Sequence, residues 1–588
     1  MTALDIIIVT FNSEKWIENC LKSIENVRFP LKNIYITFID NNSIDKTRQI
    51  IQSYPNRHFF GGFQTFFLKS NRGFGYSNNF AVQRTNQQYI FFLNVDTELE
   101  PDSLSILIET AERSKADGFA LWECRQFPYE HPKNYNPVTL EVSWASGAAC
   151  MVDREAFLKV GMFDERIFLY AEDVDLSWRL RGHGYKLMYV PKSIVYHYSY
   201  EKAGVIKKHQ FYNSTYNNLM LRYKYGTLRD IFIGYLLFCC LFFVKVPFKK
   251  NVWMIFKNLI RSFYQGLKFR KLNRNFGKLG FKPTFYIWDY EINRDGAYYV
   301  NELPSERPLV SILIRTCGRP LVLYETLLSV RNQTYPNIEV VIVEDGPDVS
   351  RNMIEREFSD LKICYYATGE KKGRCFAGNK AMELANGKYL NFLDDDDVLY
   401  ADHVEVLCSQ LERNTDKKVA YSYAFETPIR VHSRNPYKYE LLYHNVQHRQ
   451  PFNRELLFNH NYLPIQTVMF SKDLFNEHGG FDINLEVLED WDLWLRYAQK
   501  YDFLHVEKVT SAYRIPADSN DFHARQLMFD KYLTVVRGKY KQYNAVEAST
   551  LRSSSVIINR LRGMTARAIL FKVKRKLVSR LRKWLSSR

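Results

Sequence analysis

Ile6–Asn12 reads IIIVTFN, Tyr35–Asp40 reads YITFID and Tyr89–Asp96 reads YIFFLNVD, three apolar runs that each close on a polar or acidic side chain. Short runs dense in Ile, Val and aromatic residues fit strands buried on both faces. Helix-like stretches separate them, and this alternation predicts an α/β domain on a mainly parallel sheet. In an open sheet of that kind ligands collect outside the carboxyl ends of the strands. Asp40 and Asp96 are therefore expected at one edge around one ligand, although 56 residues separate them.

The same order returns some 300 residues later as SILIRT (Ser311–Thr316), VVIVED (Val340–Asp345) and YLNFLDDDD (Tyr389–Asp397). Each copy then reaches a carboxylate group opening a Trp-bearing helix: Glu172, Asp173 and Asp175 before Trp178, and Glu489, Asp490 and Asp492 before Trp494. Thr10 to Asp40 spans 30 residues and Thr316 to Asp345 spans 29, which matches Asp345 to Asp40. A period this long means two domains rather than a solenoid.

At 588 residues the chain suits two such domains plus appendages. We divide it as 1–230 (first domain), 231–308 (helical, membrane-proximal, with a Gly/Pro-bearing linker from about 275), 309–535 (second domain) and 536–588 (basic tail). Nine cysteines, odd in number and without CxxC spacing, fit reduced thiols and a cytoplasmic setting. No basic-then-apolar leader precedes the first strand, so no cleaved signal is expected.

Charge is unevenly placed. Lys245–Lys282 holds eleven Lys or Arg and Leu551–Arg588 holds twelve, both without an acid; they carry +23 of a total of +17, leaving −6 for the rest. The α/β parts are thus mildly acidic, which argues against a nucleic-acid partner, and the basic parts also carry large apolar residues. Leu570, Val573, Leu577, Leu581 and Trp584 share one helical face opposite Lys and Arg. Such a helix suits an anionic membrane surface, or packs on the protein with a solvated charged face. Ile231–Val244, 14 uncharged residues, is short of a span and reads as an interfacial, re-entrant or core helix.

These motifs together resemble the family-2 glycosyltransferases of GT-A, Rossmann-like fold. The first half is similar to bacterial rhamnosyl- and galactofuranosyltransferases in FNSE (Phe11–Glu14), IDNNSIDKT (Ile39–Thr47), NRGFGYSNN (Asn71–Asn79), FLNVDTELEP (Phe92–Pro101) and the stretch around AEDVDLSWRLR (Ala171–Arg181). The second is similar to capsule and surface-polysaccharide members in GRCFAGNKAMELANGKYLNFLDDDD (Gly373–Asp397) and EDWDLWLR (Glu489–Arg496). The resemblance implies nucleotide-sugar donors (UDP- or dTDP-sugars), a lipid-linked glycan acceptor and a peripheral place at the cytoplasmic face of a bacterial inner membrane.

A diphosphate leaving group gathers negative charge, which a divalent cation, Mn2+ or Mg2+, can neutralise through carboxylate oxygens. The resemblance implies metal ligation by Asp96, His197 and Asp396, with Asp395 or Asp397 as substitutes. It implies donor binding by Thr10, Asn12, Asp40, Asn71, Gly73 and Asn79 in the first half, and by Thr316, Asp345, Arg374, Asn379 and Asp394 in the second. Asp173 and Asp490 take the place of the general base of an inverting transfer. DNNS at Asp40 is also a good turn sequence, and acids opening a helix are favoured by its dipole alone. Two departures stand out. Asn94 replaces the first acid of an Asp-x-Asp motif, and no histidine of the second half matches His197, Arg514 and His523 being loose candidates. The chain thus reads as a bifunctional enzyme adding one sugar type per domain, or as a single-activity enzyme with one degenerate domain.

Overall fold

A computed structural model describes residues 2–198, 206–271, 283–296, 306–517 and 519–540. The first eight strands are β1 (Leu4–Thr10), β2 (Ile34–Asp40), β3 (Gly62–Phe67), β4 (Tyr89–Leu93), β5 (Thr97–Leu99), β6 (Phe119–Phe127), β7 (Ala149–Asp153) and β8 (Lys186–His197). They form one sheet in the order β3-β2-β1-β4-β7-β6-β8-β5. The second sheet comprises β9 (Val310–Thr316), β10 (Ile338–Glu344), β11 (Ile363–Ala367), β12 (Tyr389–Asp394), β13 (Val398–Leu399), β14 (Val419–Arg434), β15 (Tyr437–Leu441), β16 (Val468–Ser471) and β17 (Leu504–Pro516). Its order is β11-β10-β9-β12-β16-β14-β17-β13, with β15 beside β14. Set β15 aside and the two orders coincide strand for strand.

Both sheets are mixed rather than mainly parallel. The first four strands of each run parallel, as the buried Ile/Val runs suggest, but β7 and β16 enter antiparallel to both neighbours. Register also revises the alignment of the two halves. Thr10 faces Asp40, and Thr316 faces Glu344. The Asn41 N–H donates to the Thr10 carbonyl at 2.8 Å as the Asp345 N–H donates to that of Thr316 at 2.7 Å. Glu344 is therefore the counterpart of Asp40, and Asp345 that of Asn41. Counting residues between motifs misplaced the pair because the intervening loops differ in length.

The helices used below are α1 (Phe74–Val82), α2 (Glu172–Gly182), α3 (Lys208–Tyr225), α4 (Leu228–Cys240), α5 (Val252–Lys271), α6 (Arg374–Leu384), α7 (His403–Arg413), α8 (Glu489–Ala498) and α9 (Ser519–Lys539). The last acid of each Glu-Asp-x-Asp run anchors a helix that follows the sheet. Buried Asp175 takes Arg179 at 2.9 Å, Lys224 at 2.5 Å and the Tyr225 hydroxyl at 2.7 Å. Asp492 takes Arg496 at 3.2 Å, Lys539 at 2.9 Å and the Tyr540 hydroxyl at 3.2 Å. The duplication thus extends through α3 and α9. The basic tail beyond 540 lies outside the described residues, as do 272–282 and 297–305 of the region read as a linker.

The two sheets do not stand apart. Arg125 on β6 donates bidentately to Glu405 on α7 at 2.8 and 2.9 Å and to Glu130 at 2.8 Å. Arg294, in the stretch read as a linker, binds Glu130 at 2.6 Å and Asp402 at 2.9 Å, and Lys508 binds Asp402 at 2.7 Å. Three cations and three carboxylates, all buried, balance one another. Around them Tyr135, Val142 and Tyr189 share one apolar cluster with Tyr400, Phe425 and Val509. Residues 283–296 are therefore built into an interface, not a free spacer.

Candidate active site

The carboxyl ends of β1, β2 and β4 lie side by side. Thr10 Oγ1 donates to Asp40 Oδ2 at 3.2 Å, while the Ser43 N–H at 3.1 Å and Arg48 Nε at 2.5 Å hold Oδ1. Asp40 is fully buried, and these contacts commit it to ordering its own loop. Asn12 joins that loop, its Oδ1 accepting from the Ile44 N–H at 3.0 Å. Asn41 instead reaches the glycine-bearing turn, accepting from the Arg72 N–H at 3.1 Å. In that turn the Gly73 N–H donates to Asn71 Oδ1 at 3.0 Å. Gly73 has φ +87°, and a Cβ there would lie 2.4 Å from the Phe168 carbonyl oxygen, so only glycine fits. In the second domain Asp345 accepts from the N–H groups of Lys372 at 2.6 Å and Gly373 at 3.0 Å.

Asn79 and Asn379 repeat one another on α1 and α6. Each carboxamide accepts a backbone N–H and donates to a carbonyl of one residue, Phe163 at 3.0 and 3.0 Å and Phe481 at 2.6 and 3.0 Å respectively. Both carboxamides clamp the loops that carry Phe163 and Phe481.

The pairing of β5 with β8 sets Thr97 opposite His197 and brings His197 Nε2 to 3.5 Å from Asp96 Oδ1. Gln126 holds the other ring nitrogen at 2.8 Å. Nε2 is buried with no hydrogen-bond partner among the described residues, and it faces a carboxylate oxygen of Asp96. Burial works to raise the Asp96 pKa, but His197 and Lys207 outweigh it and hold the carboxyl below its usual range. This pair fits a divalent cation. No group of three or more His, Cys, Asp or Glu side chains gathers for a metal among the described residues.

The second site departs from this arrangement. By strand register Tyr513, not a histidine, occupies the place of His197, and its hydroxyl donates to Glu426 at 2.9 Å. Arg514 pairs with Glu325 at 2.8 Å, and the His523 side chain lies outside the described residues. Arg319 pairs with Asp395 and, at 3.1 Å, with Asp396. Arg315 donates to Asp394 at 2.6 Å and to Glu489 at 2.8 Å. Guanidinium groups thus neutralise the strand-end acids, and Asp396 in this arrangement does not fit a cation. Thr316 Oγ1 donates to Asp395 at 2.7 Å, and half-exposed Arg374 lies 3.7 Å from Glu489. Arg315 was missed in the sequence, although an arginine ending a buried Ile/Leu strand is a legible signal. Val9 and Asn94 stand at the places of Arg315 and Asp394 in the first domain, so there the ion network is absent as a unit.

The helix acids complete each site. The Asn94 N–H donates to the Ala148 carbonyl at 2.8 Å, and the next residue back, Gly147, donates its N–H to Asp173 Oδ2 at 3.0 Å. This places Asp173 beside the strand-end loop. Asp490 accepts from the Asn461 carboxamide at 3.2 Å. Burial raises the pKa of Asp173, and burial followed by the Glu489 charge raises that of Asp490 to about 7. Burial, then Asp173, pushes Glu172 well above the carboxylate range, and one of its oxygens has no hydrogen-bond partner among the described residues. Ala171 at φ +73° and Leu488 at φ +64° sit in left-handed conformations immediately before α2 and α8. Such strain costs on the order of 1–3 kcal/mol per residue and recurs where a side chain must be aimed.

Glu123, opposite Cys150 on β7, and Tyr421, opposite Val468 on β16, hold equivalent places in the two sheets, and each lines a cleft. The first cleft is walled by Glu123, Gln126, His131 and Lys133, the second by Tyr421, Tyr423, His448 and Tyr462.

The Glycosyl transferase family 2 profile matches residues 5–160 and again 311–479, and that of Glycosyl transferase family group 2 matches 133–275. Rhamnosyltransferase WbbL of Escherichia coli is 28% identical over 229 residues, 33% of this chain and 83% of that protein. The uncharacterized glycosyltransferase MJ1057 of Methanocaldococcus jannaschii is 27% identical over 248 residues, 40% of this chain and 82% of the other. Among solved structures, TarS 1–349 of Staphylococcus aureus covers 45% of this chain and 81% of its own at 15% identity, TM-score 0.32. Mannosyltransferase PcManGT of Pyrobaculum calidifontis, with GDP-Man and Mn2+, covers 47% and 84% at 13% identity, TM-score 0.31. With more than half its length matched, in two segments that each carry the strand-end site, the chain belongs to glycosyl transferase family 2 as a tandem two-domain enzyme.

Proposed function

We propose that both domains are GT-A transferases of inverting mechanism, each drawing on a nucleotide-sugar donor. Together they extend a lipid-linked O-antigen or capsule glycan by one sugar type per domain, peripherally at the cytoplasmic face of the inner membrane. The observation that carries this reading is the repeated, partly buried aspartate, Asp173 and Asp490, second in the helix-opening Glu-Asp-x-Asp run of each domain, whose pKa is raised and whose carboxylate accepts from an N–H or amide donor. In each domain the aspartate takes the proton of an acceptor hydroxyl. That oxygen forms its bond to the anomeric carbon from the side opposite the nucleotide, and the bond to the diphosphate breaks with its electron pair leaving on the phosphate. A divalent cation held by Asp96 and His197 would supply Lewis-acid stabilisation of that leaving group. In the second domain no step is drawn through a metal.

Purified protein incubated with a panel of UDP- and dTDP-sugars, manganese and a synthetic lipid-linked acceptor should yield masses that grow by two sugar increments. A single repeated increment would remove the one-sugar-per-domain reading. Chelation, or His197→Ala, should abolish the first increment and spare the second. Equal loss of both would defeat the assignment of the metal to Asp96 and His197.

The raised pKa of Asp490 sets a pH dependence. A base must be ionised, so the second activity should fall about tenfold per pH unit below pH 7, and rise to a plateau above it. A flat rate from pH 5 to 8 would mean another group takes the proton. A second reading keeps one domain as an acceptor-binding module; Val9, Asn94 and the unpaired oxygen of Glu172 favour the first domain for that part. Loss of all donor hydrolysis in Asp490→Asn, with full hydrolysis kept in Asp173→Asn, would support it.

A further inference from the structure

Helix α5 is built inside out. Its buried stripe is Ile255, Asn258, Ser262, Gly266 and Phe269, mostly small or polar, while Trp253, Phe256, Ile260, Phe263 and Leu267 stand 43–69% exposed. A surface helix of a soluble domain does the reverse. The small residues let α5 lie close on α3: a Cβ on Gly266 would meet the Tyr223 ring at 2.5 Å, and the Asn258 amide donates to the Tyr212 carbonyl at 3.3 Å. On α4, Leu228, Phe232 and Leu236 repeat at steps of four and are all exposed, and Phe243 beyond the helix is 88% exposed. So large a gathering of bare apolar side chains exceeds what isolated surface residues make.

Charge selects the occupant. Lys245–Lys271 contains eight Lys or Arg and no acid, five of them on α5 itself. A protein surface would ordinarily offer or demand both signs; a uniformly basic rim around Trp, Phe and Leu complements anionic headgroups above acyl chains. No helix among the described residues is long and apolar enough to cross a bilayer. We propose that α4 and α5 form an in-plane anchor that seats Trp253, Phe263, Leu267 and Phe232 in the interface of an anionic bilayer. This rests on the peripheral placement proposed above and names the element responsible. Lys224 at the end of α3 binds Asp175, in the helix that carries Asp173, so the anchor holds the first site at a fixed height above the lipid.

The test is co-sedimentation of the full chain with vesicles of phosphatidylcholine mixed with phosphatidylglycerol, and with phosphatidylcholine alone. The wild type should bind the mixed vesicles and largely ignore the neutral ones. Trp253→Glu with Leu267→Glu, both at exposed positions, should weaken binding about a hundredfold, the effect of losing two buried apolar side chains. Transfer to a water-soluble acceptor by the same variant should be unchanged, which separates loss of the anchor from loss of the enzyme. Undiminished vesicle binding by the variant would overturn the proposal and move the contact to residues 541–588. A dimer that the variant dissociates, with no vesicle binding by the wild type, would overturn it in favour of a second copy.

Discussion

Asp173→Asn should stop the glycan after one sugar and Asp490→Asn after the other, each lowering its own activity about 10²–10⁴-fold. Asparagine keeps the size of the side chain and leaves one oxygen to accept from the Gly147 N–H or the Asn461 amide, so the local fold should survive. What it loses is proton affinity. Burial raises the pKa of both aspartates, and with the Glu489 charge it brings that of Asp490 to about 7, whereas an amide cannot take up the proton. Product masses from each variant, with circular dichroism to confirm folding, give the readout. Full-length polymer from either variant would end the two-site reading; truncated product from both, ending in different sugars, is the expected outcome.

Arg125→Met should cost about 3–5 kcal/mol of stability, because it leaves Glu405 buried with its bidentate partner gone and removes one of the cations that balance Glu130. The side chain is fully buried and makes three hydrogen bonds, two of them to Glu405 of the second domain. A lowered denaturant midpoint and new proteolytic cutting between the domains would report the loss. Replacing both members, Arg125→Met with Glu405→Met, should recover much of it, since removing a buried pair together strands less charge than removing one partner. A change under 1 kcal/mol in the single variant would mean that water reaches the cluster and that the apolar contacts around Tyr135 and Tyr400 hold the domains alone.

Much of the fold was legible because strands announce themselves locally. Runs such as Ile6–Val9 and Val340–Val343 are buried at nearly every position, as their composition demands. The duplication, the strand-end acids and the Glu-Asp-x-Asp helices came from the same local signals. Their partners did not. Asp345 was matched to Asp40 by counting residues, and register matched it to Asn41, because loop length is free to vary while hydrogen-bonded pairing is not. The sequence showed Asp175 and Asp492 only as members of the helix-opening acid runs, whereas packing encloses each with an Arg, a Lys and a Tyr from elements as many as 50 residues away.

The order of residues alone settled that this chain repeats one α/β transferase plan and where each copy puts its carboxylates, since side-chain period and strand propensity act over a handful of neighbours. Tertiary structure alone decided which acids meet a histidine and which meet an arginine, that the halves share a buried ionic core, and that α5 turns its apolar face outward. Those outcomes depend on contacts between residues far apart in the chain, whose energies are fixed only once register and packing bring them within reach.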